Sequence, residues 1–161
     1  MIQLMKEMQG TILDIGGGGE GVIGRLYKNQ VIAIDNRQEE LDEAPNCFEK
    51  VLMDAKCLMY QEETFDHVTF FYSLLFMNRK TQLQALSEAA RVLKTGGMMH
   101  IWDTDVSSAY PYLFRVDLEI QVDGERIYTT YEIINDIINP VSYTHLDVYK
   151  RQGFLHAGTY L

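Results

Sequence analysis

The chain has 161 residues, of which 47% are hydrophobic, and this predicts one domain with a sizeable core around a single sheet. The formal net charge is −9 and Lys and Arg form no basic run, so we expect no binding to nucleic acid or to a membrane surface. Two cysteines are too few for a disulfide framework or a zinc site, which favours a cytoplasmic protein with reduced thiols and no metal.

Strands and helices alternate over the first two thirds of the chain. Apolar runs predict strands at 11–15, 31–35, 48–54, about 67–72 and 98–103. Helices are predicted after the first strand, over the acidic stretch that ends near Pro45, and over 81–94. This alternation is typical of an α/β fold with a doubly wound, mostly parallel sheet.

The helix at 81–94 has the clearest periodicity. Thr81 and Gln84 have the spacing of a capping box, and Gly96 with Gly97 is expected to end the helix. Its apolar residues share one face, which we expect to be buried: Leu83, Leu86, Ala90 and Leu93.

An antiparallel hairpin is predicted at about 112–133. Apolar residues from Phe114 to Val122 alternate with polar ones, Asp123-Gly124 is a turn signal, and a return strand follows. The apolar face of this hairpin must be covered. It can cover the open edge of the sheet or the mouth of a ligand site, or it can pair with a second subunit in a homodimer.

Acidic residues end four of the five predicted parallel strands. Ligands of such sheets bind at the carboxyl ends of the strands, so the terminal residues are candidates for a site. They are Asp14, Asp35, Asp54, Tyr72 and Asp103.

A glycine-rich turn, DIGGGGEG, follows the first strand. Gly16, Gly18 and Gly21 satisfy the dinucleotide pattern G-x-G-x-x-G, whereas Asp14 also fits S-adenosylmethionine (SAM), which has no pyrophosphate. Asp35 does not decide between them, because an acid there binds ribose hydroxyls in either case. A dehydrogenase needs a further region for its substrate, and only the hairpin and a tail follow the fifth strand.

Residues 11–105 resemble the class I SAM-dependent methyltransferases. The matching motifs, in chain order, are D-x-G-x-G at 14–18, the acid Asp35, Asp54-Ala55, Phe65-Asp66 and R-V-L-K-x-G-G at 91–97. Glu20 stands where that family often has its third glycine, and Thr95 replaces the usual proline. The resemblance implies a Rossmann-like fold and SAM as cofactor. The cofactor-binding residues it implies are Asp14, Gly16, Gly17, Gly18, Asp35, Asn36, Asp54, Ala55 and Tyr72.

The resemblance further implies methyl transfer, which is an in-line displacement that requires no obligatory catalytic residue. Asp103 is a candidate for a catalytic role. The segment after the fourth strand, Tyr72-Ser73-Leu74-Leu75, lacks the N-P-P-Y pattern of enzymes that methylate amino groups of nucleic acids, which favours a small-molecule acceptor. The alternatives are a non-catalytic module that binds SAM or a partner, and an NAD(P)-binding domain.

The segment VSYTHLDVYKRQ at 141–152 does not fit the rest. It can be encoded by DNA that is its own reverse complement, and that DNA resembles two inverted ends of a sequencing adaptor. We therefore expect a methyltransferase domain over 1–140 and an artefactual or chimeric tail over 141–161, with the native sequence after Pro140 truncated.

Overall fold

The computed structural model describes residues 2–4, 6–103, 113–122, 124–134, 146–151 and 154–158. Five parallel strands form the centre of its main sheet: β2 (Ile12–Ile15), β3 (Val31–Asp35), β4 (Glu49–Leu52), β5 (Phe65–Phe71) and β6 (Leu93–Trp102). Their spatial order is β6-β5-β2-β3-β4. The order reverses beside β2, so the predicted Rossmann-like sheet is confirmed.

Helices cover both faces of this sheet. They are α1 (Val22–Tyr27), α2 (Gln38–Glu43) and α3 (Arg79–Val92), with single 3-10 turns at Lys28–Gln30 and Leu74–Phe76. Leu13 and Ile15 pack with α3, whereas Ile12 packs with α1 in a second cluster. Because neighbouring residues of a strand point to opposite faces, these two clusters lie on opposite sides of the sheet.

The buried face of α3 differs from the predicted one. Its buried residues are Gln82, Ala85, Ala89 and Val92. Leu83 is 56% exposed, and Leu93 already belongs to β6. Short alanine side chains let the helix lie close to the sheet, and the Gln82 amide is tolerated inside because it donates to the Leu74 carbonyl at 3.0 Å. The prediction placed the apolar stripe about one residue away.

The ends of α3 also differ from prediction. Asn78 is the N-cap, and its side-chain oxygen accepts from the Thr81 backbone N–H at 3.0 Å, so Thr81 does not cap the helix. The helix ends at Val92, whereas Gly96 and Gly97 lie inside β6. Gly96 has φ +87°, a conformation that glycine adopts readily.

The predicted hairpin consists of β7 (Leu113–Val122) and β8 (Glu125–Ile134), which pair antiparallel. β1 (Ile2–Gln3) pairs with β7 in parallel. Ile120 and Val122 are buried against α1 and the sheet, whereas Asp117 is exposed. The predicted alternation is confirmed there; Asp123 of the predicted turn lies outside the described residues.

Two further strands, β9 (Leu146–Arg151) and β10 (Phe154–Gly158), extend the main sheet antiparallel beyond β6. Backbone groups make this pairing, so the pairing does not test the interpretation of the tail. Residues 141–145 and 152 lie outside the described part of the chain. No helix within the described residues has the length and apolar character needed to span a membrane.

Candidate active site

A cavity of about 990 Å³ lies at the carboxyl ends of the parallel strands. Its lining includes all nine residues that the sequence nominated for cofactor binding: Asp14, Gly16, Gly17, Gly18, Asp35, Asn36, Asp54, Ala55 and Tyr72. They come from four strand ends and one loop, which the strand order brings to a single edge. Their contact with a cofactor stays a prediction, whereas their convergence is a property of the fold.

The glycine loop is held tightly between β3 and the end of β5. Gly16 and Gly17 both donate to the Ile34 carbonyl, at 2.8 and 3.1 Å. Gly16 has φ +76°, and a Cβ atom there would lie 2.5 Å from the Ser73 Cβ. Glycine is therefore required by the loop itself, in addition to any cofactor that approaches it.

Asp14 is a buried carboxyl group at the floor of the cavity. It is 1% exposed and accepts from the Thr69 hydroxyl at 2.6 Å. Burial raises its pKa to about 7; the hydrogen bond from Thr69 opposes the rise and the charge of Asp35 adds to it. The group is therefore poised to ionise beside a cationic ligand.

Asp35 is the last residue of β3, and Asp54 follows shortly after the end of β4. Each carboxylate accepts a hydrogen bond from the backbone of the residue two positions later. Asp35 accepts from the Arg37 backbone N–H at 3.0 Å, and Asp54 accepts from that of Lys56 at 2.9 Å. A carboxylate has about four lone-pair sites, so each bond leaves acceptor capacity for ligand hydroxyls or amino groups. These local turns fix the two carboxylates at the cavity.

Glu20 forms hydrogen bonds with the hairpin at the mouth of the cavity. Its carboxylate accepts hydrogen bonds from the Thr129 hydroxyl and, at 3.4 Å, from the Tyr131 hydroxyl. Thr130 and Tyr131 line the cavity, so the hairpin covers a ligand mouth, one of the three predicted options. Sequence reasoning noted Glu20 only as a departure and missed Tyr131, although Tyr131 follows Thr129 on the inward face of the predicted return strand.

Tyr72 and Asp103 follow the ends of β5 and β6. Tyr72 has φ +51°, a strained conformation for a tyrosine, and its backbone N–H donates to the Trp102 carbonyl at 2.8 Å. Asp103 is 1% exposed, accepts from the Leu75 N–H at 3.1 Å, and is not among the residues that line the cavity. This contact suits a residue that holds the 73–78 segment; its catalytic role stays a prediction.

Comparisons with known proteins agree with this geometry. A family model described as a methyltransferase domain matches residues 13–101. A demethylmenaquinone methyltransferase of Protochlamydia amoebophila (strain UWE25) is 29% identical, over 62% of this chain and 49% of that protein.

Solved structures share the fold. The PH0226 protein from Pyrococcus horikoshii OT3 has a TM-score of 0.55 at 25% identity, over 62% of this chain and 51% of that one. The BH2331 protein from Bacillus halodurans C-125 has a TM-score of 0.54 at 26% identity, over 63% of this chain and 48% of that one. The chain spans about half the length of these relatives. By its family match and its fold, it belongs to the methyltransferase-domain family of class I SAM-dependent methyltransferases, in which SAM is the methyl donor.

Proposed function

We propose that the protein transfers the methyl group of SAM to a small-molecule acceptor. The observation that carries this proposal is the single cavity in which a glycine loop adjoins three carboxylates, Asp14, Asp35 and Asp54, at the ends of neighbouring strands. The 29% identical relative is by name a methyltransferase of demethylmenaquinone, which is an organic molecule and not a protein or a nucleic acid. The exposed free thiols Cys47 and Cys57 support a reducing, cytoplasmic location for this activity.

The charges around the cavity support SAM over a dinucleotide. Glu40 and Glu43 line the cavity together with the three aspartates. Such a site favours a ligand with sulfonium and ammonium groups and repels a pyrophosphate. Arg37 is ion-paired with Glu40, so its charge is already partly compensated and fits a 2′-phosphate poorly.

The residues of the chain serve mainly to orient the reactants. When bound, SAM supplies an electrophilic methyl group on a sulfonium sulfur. Asp35 accepts ribose hydroxyls, the close-packed loop at Gly16 lets the ligand approach the backbone, and Tyr131 helps to exclude water from the cavity mouth. Alignment of this kind accounts for much of the rate of an in-line transfer and requires no general base.

Calorimetric titrations with SAM, with its demethylated product and with NADPH test this assignment. We expect both sulfur compounds to bind and NADPH not to bind. Preferential NADPH binding would overturn the proposal in favour of a dinucleotide domain. SAM binding without methyl transfer to any member of a broad acceptor panel would favour a non-catalytic SAM-binding or partner-binding module.

A further inference from the structure

The charged and the uncharged residues of the cavity lining come from different parts of the chain. The charged lining residues all precede β5: Asp14, Glu20, Asp35, Arg37, Glu40, Glu43, Asp54 and Lys56. From Phe71 onward, every lining residue that the structure describes is uncharged. A volume of about 990 Å³ lies at the upper end of the range of about 300–1,000 Å³ for single-ligand pockets, so a second small molecule has room beside a nucleoside cofactor.

Aromatic side chains form much of the uncharged lining. Tyr72 and Tyr131 stack with ring centroids 5.6 Å apart and planes 13° apart. Phe76 meets Tyr131 edge to face, with centroids 5.8 Å apart and planes at 71°. We call Tyr72, Phe76 and Tyr131 the aromatic wall.

The rest of the protein covers the aromatic wall only in part. Phe76 is 59% exposed although it lines the cavity, which leaves part of a large apolar ring against water. An exposed apolar group of this size inside a concave site is typical of a surface that a ligand covers. A flat ring placed against Phe76 and Tyr131 would gain both apolar burial and aromatic contact.

The aromatic wall offers hydroxyl groups and no cationic group to a ligand. Burial raises the pKa of both Tyr72 and Tyr131 above the ordinary value of a tyrosine, and nearby carboxylates add to the rise, so both hydroxyls stay neutral at neutral pH. The Glu20 carboxylate already accepts hydrogen bonds from Thr129 and Tyr131. An anionic acceptor would lose water here and would meet the Glu20 carboxylate without gaining a cationic partner, which disfavours it.

We infer that the aromatic wall is the acceptor site, that it takes a molecule with a flat aromatic ring and no negative charge, and that Tyr131 of the hairpin determines this specificity. The inference rests on the proposed function, because it assigns the remainder of the same cavity to the acceptor. Tyr131 lies outside the matched family region at 13–101, so this selectivity belongs to the hairpin of this chain.

Binding of three matched probes tests the inference without turnover. 2-Naphthol is an uncharged aromatic bicycle, decahydro-2-naphthol is its saturated counterpart, and 2-naphthoate carries a charge. Each probe is titrated by calorimetry into the protein saturated with the demethylated product of SAM. We expect 2-naphthol to bind more tightly than either of the others.

Two variants and one control complete the test. Phe76→Ala and Tyr131→Ala should each weaken 2-naphthol binding by about two- to tenfold. Tyr128→Ala is the control, because Tyr128 lies on the outer face of the same strand, is 69% exposed and is not part of the cavity lining. Phe76 is largely exposed, so its replacement keeps the fold even if the change at Tyr131 does not.

The outcomes separate this inference from the proposed function. Equal binding of 2-naphthol and its saturated counterpart, preference for 2-naphthoate, or unchanged binding in Phe76→Ala overturns the aromatic acceptor site. Failure of the protein to bind SAM or its product overturns the proposed function itself. Normal cofactor affinity in Phe76→Ala, with weaker 2-naphthol binding, supports both.

Discussion

Replacement of Asp14 by asparagine should change how stability depends on pH. The pKa of Asp14 rises from 3.8 to about 7 on folding, so between these values the folded protein holds a proton that the unfolded chain has lost. The free energy of unfolding should therefore fall as the pH rises from about 4 to about 7. At about 1.4 kcal/mol per pKa unit, the loss is on the order of 4 kcal/mol and stays constant at higher pH.

Asp14→Asn is a close mimic of the protonated acid, because its amide oxygen can still accept from the Thr69 hydroxyl. Urea unfolding without cofactor at several pH values should show the variant gaining stability over the original protein as the pH rises to about 7. Comparison of the two proteins cancels every other titrating group. A constant difference between them across this range would show that Asp14 does not hold the proton.

The same carboxyl group predicts the pH dependence of cofactor binding. If the ammonium group of SAM binds only ionised Asp14, affinity should fall about tenfold per pH unit below pH 7 and level off above it. Asp14→Asn should bind more weakly at high pH and should lack this slope. Calorimetry at a series of pH values measures the SAM affinity of both proteins. Parallel pH profiles would refute a contact between Asp14 and the ammonium group of SAM.

Asp35→Ala should weaken SAM binding by roughly 1.5–3 kcal/mol without unfolding the protein. In Asp35→Asn the side-chain oxygen can still accept from the Arg37 N–H, so this variant separates loss of the charge from loss of the turn. Unchanged affinity in both folded variants would remove Asp35 from the site. Gly16→Val should abolish SAM binding, because φ +76° and the adjacent Ser73 exclude a side chain; a folded variant with normal binding would contradict the loop geometry. The apolar face of the hairpin is packed internally, so a homodimer through the hairpin would have to use its outer face; sedimentation over a range of concentrations tests for it, and a monomer at every concentration rules it out. The sequence amplified from source DNA at this locus should differ from the printed sequence within 141–152. An uninterrupted reading frame that encodes all twelve residues would disprove the adaptor interpretation.

The strands and the cofactor end of the cavity were predictable because their signals are local. A continuous apolar run that stops at Asp14 or Asp35 places that acid at the carboxyl edge of a parallel sheet. The glycine run after Ile15 then indicates the turn that lies beside both acids. Most strand bounds shifted by one or two residues, as with β5, which begins at Phe65, whereas β6 begins at Leu93, well before the predicted start at Met98.

Features that depend on the packing of distant segments were not predictable from local pattern. The face of α3 was wrong because the close approach of Ala85 and Ala89 to the sheet decides burial there, and leucine spacing does not report it. Nothing near Glu20 indicates that its partner is Thr129, since the two meet only after the hairpin folds back over the loop. Phe76 and Tyr131 of the aromatic wall were missed for the same reason, whereas Tyr72 was nominated because it ends a predicted strand.

The pairing of β1 with β7 has a consequence for the order of folding. Ile2 is aligned with Ile120, so Ile2 finds its backbone partner only after the residues of the parallel sheet have been made. Closing so long a loop costs entropy that grows with the logarithm of its length, which slows contacts of this kind. β1 should therefore dock among the last of these elements during translation. Until β7 has been made, the emerging sheet would present Ile12 and α1 without the cover of Ile120 and Val122, as a surface that chaperones can bind.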